Sequence, residues 1–161
     1  MPSHAHFDTL DLKILAAMQT DPKLSNNEIA ERVGSSASSV WRRIKSMEDA
    51  GILAGHFLRM SAERLGFQET ILVQVSLNHH TDKHTDEFAK LVRGCPEILE
   101  CYVTTGEGDY LLKVLARDIR SYRQFLQRKL MNQSFIGKVQ SQVVMEKVKE
   151  EISIPVELVQ L

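Results

Sequence analysis

Short hydroxyls and paired guanidiniums punctuate Ser36 to Gly51, Ser-Ala-Ser-Ser-Val-Trp-Arg-Arg-Ile-Lys-Ser-Met-Glu-Asp-Ala-Gly. Val40, Ile44 and Met47 fall at i, i+4 and i+7, the apolar stripe of a helix. Ser38, Ser39, Arg42, Arg43 and Ser46 lie off that stripe and are expected to point outward. Ser36 suits the N-cap, where its hydroxyl accepts from a free backbone N–H, and Gly51 suits the stop. Small hydroxyls followed by two arginines fit the DNA major groove: serine lets the backbone approach, and a guanidinium forks onto phosphate or guanine. The candidate DNA-contacting set is therefore Ser36, Ser38, Ser39, Arg42, Arg43 and Ser46. Taken alone, the same pattern also describes an ordinary solvated face. Trp41 borders the stripe and is expected to be partly buried.

His79, His80 and His84 form a second group. His79 and His80 would point to opposite faces of a continuing strand, with no acidic or cysteine partner at ligand spacing, so a solvated loop is expected rather than a metal site. No nucleophile–base pairing and no phosphate-binding glycine run is evident. No cofactor is expected. The two cysteines, Cys95 and Cys101, form no CxxC pair, which fits a reducing cytoplasm. No signal peptide and no apolar run of about 18 residues is present, so no membrane partner is expected.

The elements that would position Arg42 and Arg43 come first in the chain. Asp8 can cap a helix with Leu10, Ile14, Leu15 and Met18 on one side, ended at Asp21-Pro22. Ser25-Asn-Asn-Glu28 is a capping box opening a helix with Ile29, Ala30 and Val33. Gly34 then turns the chain into the helix capped by Ser36, a helix-turn-helix arrangement. Ile52 to Leu58 reads as a short strand or hairpin, which makes the whole a winged helix-turn-helix. The chain's net charge of −1 argues against a non-specific polyanion binder, whereas Ser35 to Met60 carries four basic and two acidic residues.

The remaining hundred residues alternate differently. Ile71, Val73, Val75 and Leu77 make a strand over Thr70–Leu77; Asp82–Arg93 is a helix; Ile98–Thr104 and Tyr110–Ala116 are strands joined by Thr105-Gly-Glu-Gly-Asp109. Asp118 caps a second helix, Val139–Val148 is a last strand, and Ile152–Leu161 is a tail that could add another. The order βαββαβ predicts a ferredoxin-like α+β domain, an antiparallel sheet with both helices on one face. Its other face needs a cover, and a second copy of the sheet predicts a homodimer that pairs two reading helices on a palindromic operator of double-stranded DNA. The expected domains are residues 1–60, a connector 61–67, and 68–161 for effector binding and oligomerisation.

This layout resembles the Lrp/AsnC, or feast/famine, family of regulators. The matching residues are Leu10-Asp11-Leu-Lys-Ile-Leu15, Glu28-Ile-Ala-Glu-Arg-Val-Gly34, Val40-Trp-Arg-Arg-Ile44 and Met47-Glu48-Asp-Ala-Gly51-Ile52. In the second half they are Pro96-Glu97-Ile98-x-x-Cys101, Thr105-Gly106-Glu-Gly-Asp109-Tyr110-Leu-Leu and Val144-Met-Glu-Lys-Val-Lys149. The resemblance implies a transcription regulator, not an enzyme, whose dimers assemble to tetramers or octamers. It also implies a small effector, usually an amino acid, bound at the Thr105–Asp109 loop where dimers meet. Glycine N–H groups there can take a carboxylate and Asp109 an ammonium. On the residues alone the loop reads first as a plain hairpin, and it is the resemblance that favours the effector. Thr105, Gly106 and Asp109 are the effector candidates, with Val103, Tyr110 and, from a neighbouring subunit, Gln142 lining the pocket by position.

Two other functions are compatible with the layout. A siroheme-decarboxylase-like enzyme would use the histidine group, and a DNA-architectural protein would use no effector. Ser35 stands where the family commonly has leucine, which weakens the apolar anchor of the turn.

Overall fold

The computed structural model describes residues 7–55, 58–150 and 153–159. They fall into two compact units, Met1–Arg59 with Glu150–Leu161, and Met60–Lys149.

In the first unit α1 is Thr9–Thr20, α2 Asn26–Val33 and α3 Ala37–Asp49. Each start is fixed locally. Asp8 and Asp11 form a reciprocal capping box on α1, Ser25 and Glu28 another on α2, and the Ser36 hydroxyl accepts from the Ser39 N–H at 3.3 Å. Gly34 ends α2 with φ of 69°, a left-handed turn that glycine adopts without a Cβ penalty. Ile14, Leu15, Ile29, Ala30, Val40 and Met47 form the core. The strand or hairpin expected over Ile52–Leu58 is not formed by its described residues; His56 and Phe57 lie outside them. Instead the Ile52 and Leu53 N–H groups both donate to the Met47 carbonyl, and their side chains pack on the core.

The second unit is a four-stranded antiparallel sheet in the order β2-β3-β1-β4. Its strands are β1 Glu69–Leu77, β2 Ile98–Val103, β3 Tyr110–Ala116 and β4 Ile136–Val143. Helix α4, Asp82–Arg93, and α5, Ile119–Phe125, which continues as a π-helical turn Leu126–Met131, cover one face. Phe88, Tyr122, Phe125 and Leu130 pack there on Ile71, Val73, Val75, Leu112 and Val114. Strand alternation puts Leu72, Gln74, Ser76, Leu111, Lys113 and Leu115 on the other face, away from α4 and α5. This is the expected ferredoxin-like arrangement.

Two expectations for the end of the chain are corrected. The last strand runs Ile136–Val143, not Val139–Val148. Its limits are those of β1: Val144 N–H donates to the Thr70 carbonyl, and beyond Glu69 there is no strand to pair with. Among its described residues the tail adds no strand either. Its described part forms a short 3-10 turn, Val156–Leu158, and Val156 packs on the core of the first unit.

Candidate functional site

Helix α3 presents two different arginines. Arg42 is exposed, as are Ser36, Ser38 and Ser46, while Ser39 is half-buried. Arg43 does not point outward as expected. Its Nη1 lies 2.7 Å from Asp11 Oδ1 and 2.7 Å from Asp8 Oδ2, and its side chain is 26% exposed. The Asp11 and Asp8 carboxylates raise the guanidinium's pKa, in that order of effect. Asp8 in turn is held below the usual carboxylate range, first by the Asp11 N–H and then by Arg43. The two acids that cap α1 thereby clamp α3 onto it. Arg43 reaches inward because i+3 from Val40 brings it beside the apolar stripe, against the start of α1. Its Nε is buried without a partner.

Trp41 is 59% exposed, contrary to the partial burial expected. It precedes Arg42, and the core closes over Val40, Ile44 and Met47 without it. The indole therefore joins the outer face of α3. Arg42 and Ser46 also edge a cleft of about 330 Å³ that includes Phe7, Asp11 and Ile52.

In the second unit the Thr105–Asp109 loop is pinned over the end of β1. Asp109 Oδ2 accepts from the Leu77 N–H at 2.7 Å, the Asp109 N–H donates to the Val75 carbonyl, and the Ser76 hydroxyl donates to the Glu107 carbonyl. The Thr104 hydroxyl closes the loop on the Gly108 carbonyl at 3.0 Å. Gly108 is buried against Gln74, where a Cβ would meet the Gln74 Cβ at 3.3 Å. Thr105 and Gly106 are exposed, and Gly106 has φ of 125°, a conformation side chains rarely adopt. The second Asp109 oxygen, Oδ1, is 3.6 Å from His80 Nε2. Sequence reasoning placed His80 in a solvated loop and missed its approach to Asp109, which depends on the turn after β1.

The other expected liners divide. Val103 is 81% exposed beside the loop. Tyr110 turns to the helix side, its ring 4.3 Å from that of Phe88, so its aromatic face is engaged in the core. Gln142, on β4, pairs with Leu72 of β1 and lies two strands from β3, so within one chain it is not brought to the loop. His79 and His84 meet each other: His84 Nδ1 lies 3.1 Å from the His79 carbonyl, and its ring stacks on His79 and Phe135.

Comparison with known proteins matches each unit. Residues 7–54 match the winged helix-turn-helix DNA-binding family, and residues 70–154 match the Lrp/AsnC ligand binding domain. The chain is 30% identical to the leucine-responsive regulatory protein of Rhizobium meliloti over 156 residues, 97% of this chain and 100% of that protein. It is 36% identical to the proline dehydrogenase transcriptional activator of Rhodobacter capsulatus over 146 residues, 91% of this chain and 95% of that one. A transcriptional regulator of Neisseria meningitidis, solved in complex with L-methionine, superposes with a TM-score of 0.89 at 33% identity, covering 94% of this chain and 97% of that chain. These relatives are named regulators and activators rather than enzymes.

Proposed function

The chain belongs to the Lrp/AsnC family of transcriptional regulators, and from that premise we propose how its residues divide the work. It is a DNA-binding regulator with a ligand-binding second domain, and it is not an enzyme. Helix α3 enters the major groove with Ser36, Ser38, Ser39, Arg42 and Ser46 toward the duplex. Arg42 is the arginine that touches DNA; Arg43 positions the helix from inside. The observation that carries this division is the bridging of Asp8 and Asp11 by a single Arg43 nitrogen, while Arg42 stays exposed. Trp41 leans on the sugar–phosphate beside Arg42.

The effector is an amino acid, a class supported by the L-methionine complex of the Neisseria relative. Its carboxylate takes backbone N–H groups at Thr105 and Gly106, and its ammonium takes Asp109 Oδ1, the oxygen not committed to Leu77. Val103 borders the ligand, and Gln142 comes from a neighbouring subunit. The sheet face away from α4 and α5, with Leu72, Leu111 and Leu115, pairs with a second copy, giving the dimer from which tetramers or octamers grow. Such a dimer presents two copies of α3 to a palindromic operator. The protein acts in the cytoplasm, where such an operator lies, and among its described residues no helix is long and apolar enough to cross a membrane.

The test uses an operator selected from random duplexes. Arg42→Ala lowers affinity with the fold intact. If Arg42 holds a phosphate, the slope of log affinity against log salt flattens by about one; if it reads a guanine, a loss of about 1–3 kcal/mol is confined to one base position. Unchanged affinity in Arg42→Ala removes this face of α3 from the interface.

A further inference from the structure

We propose that His80 is a further determinant of the effector site: as an imidazolium it competes with the effector's ammonium for Asp109, so that the loop binds an amino acid well in neutral solution and less tightly in mild acid. The inference rests on the placing of the ammonium at Asp109 Oδ1 above, and it deepens that reading.

One carboxylate is divided between two neighbours. Asp109 Oδ2 accepts from the Leu77 N–H at 2.7 Å, which leaves Oδ1 as the acceptor for a ligand. His80 Nε2 stands 3.6 Å from Oδ1, too far for a good hydrogen bond and close enough for an ion pair. The Asp109 side chain is 27% exposed and fixed by its bond to β1, whereas His80 is 73% exposed and open to a proton from water.

The other ionisable groups around this turn are placed differently. Lys83, in the first turn of α4, pairs with Glu87 at 3.9 Å, and His84 turns Nδ1 to the His79 carbonyl. Asp82 is exposed at the start of α4; Glu107 is exposed in the loop, where its carbonyl accepts from the Ser76 hydroxyl. Lys138 of β4 stands across from Ser76. Among the described residues, the ion-pair partner of His80 is Asp109.

Histidine is the side chain whose charge ordinarily changes between about pH 5 and 8. Neutral His80 leaves the Asp109 charge to the ligand. Protonated His80 opposes the ammonium twice, by compensating that charge and by repelling a second cation. An ammonium bonded to Oδ1 at about 2.8 Å lies at most about 6.4 Å from Nε2. Two unit charges that far apart repel enough, even in bulk water, to weaken binding about threefold.

The test titrates amino acids calorimetrically into the full-length protein at about pH 5.5 and about pH 7.5, on either side of the histidine range's centre. The probe is whichever of the twenty amino acids raises the melting temperature most at the higher pH; a free amino acid stays a zwitterion at both. The parent binds it at least about threefold more weakly at the lower pH. His80→Gln, a neutral polar replacement at an exposed position, binds it equally at both, and His79→Gln keeps the parent's dependence. Equal affinity of the parent at the two pH values, a His80→Gln protein that keeps the loss in acid, or a His79→Gln protein that abolishes it overturns the role of His80 and leaves the ammonium at Asp109. An Asp109→Asn protein that binds like the parent at the higher pH, or no binding of any amino acid at millimolar concentration, removes the ammonium from Asp109 and the role of His80 with it.

Discussion

Arg43→Ala removes the guanidinium that ties α3 to the start of α1. Two carboxylates lose it. Asp8 is 54% exposed and is readily resolvated, so its share is small. Asp11 is only 14% exposed, and after the substitution it retains just the Asp8 N–H, at 3.0 Å, on its other oxygen. A hydrogen bond between charged groups contributes about 1.5–3 kcal/mol net, so the Arg43–Asp11 contact should be worth about 2 kcal/mol. In a domain of this size each kcal/mol moves the melting temperature by roughly 4–8 °C, which predicts a fall of about 10 °C for the first unit. Differential scanning calorimetry of the parent, Arg43→Ala, Asp11→Asn and the double variant measures the coupling directly, and a coupling of about 1 kcal/mol or more is expected. At a temperature where all four are folded, operator binding by Arg43→Ala should keep the parent's salt slope, because no phosphate contact is lost. A parent-like melting curve together with a flattened salt slope would show that Arg43 serves DNA and that the clamp is incidental.

Acid should loosen the same unit. Asp8 is held low by the Asp11 N–H and then Arg43, and Glu28 by the Ser25 hydroxyl and N–H. A carboxyl whose folded pKa lies below its unfolded value stabilises the fold above the unfolded pKa and loses that contribution as pH falls through the folded one. Melting temperature should therefore be level from neutrality to about pH 5 and decline below about pH 4.5, less steeply in Arg43→Ala. Leu111→Asp places a charge at the centre of the sheet face away from α4 and α5. Sedimentation at micromolar concentration should show the dimer lost and the circular dichroism of the subunit kept, and a persisting dimer would put the interface elsewhere.

Features set by near neighbours in the chain were legible in advance. The caps at Asp8, Ser25, Ser36 and Asp118 all appear as expected, because a cap needs only its own residue and the first turn of the helix. The alternation of Ile71, Val73, Val75 and Leu77 marked the buried side of β1 for the same reason. What depended on distant partners was not legible. Arg43 meets Asp11 across 32 positions, and from the helical wheel alone it looked like a twin of Arg42. Trp41, bordering the stripe, was expected to be partly buried, yet Val40, Ile44 and Met47 fill the core without it. The limits of β4 followed from those of β1, and the resting place of Val156 from the helices at the opposite end of the chain, in its own unit. At the ligand loop the glycines and Asp109 were visible in sequence, whereas the sharing of Asp109 between the Leu77 N–H and His80 was not.

The central claim is that an amino acid held at Thr105–Asp109 controls how α3 binds DNA. Coupling between two sites is reciprocal, so one quantity carries the claim: the effector's dissociation constant measured with and without saturating operator, in the parent and in Asp109→Asn. The effector is the amino acid giving the largest thermal shift in a panel of the twenty. Asp109→Asn keeps an acceptor for the Leu77 N–H and removes the charge facing the ammonium. The account predicts that operator DNA shifts the parent's effector affinity. It also predicts that Asp109→Asn binds the effector at least about tenfold more weakly, shows no such shift, and keeps its basal DNA affinity. An Asp109→Asn protein that binds the effector like the parent, with the same dependence on DNA, would contradict the account and leave Thr105–Asp109 as a turn.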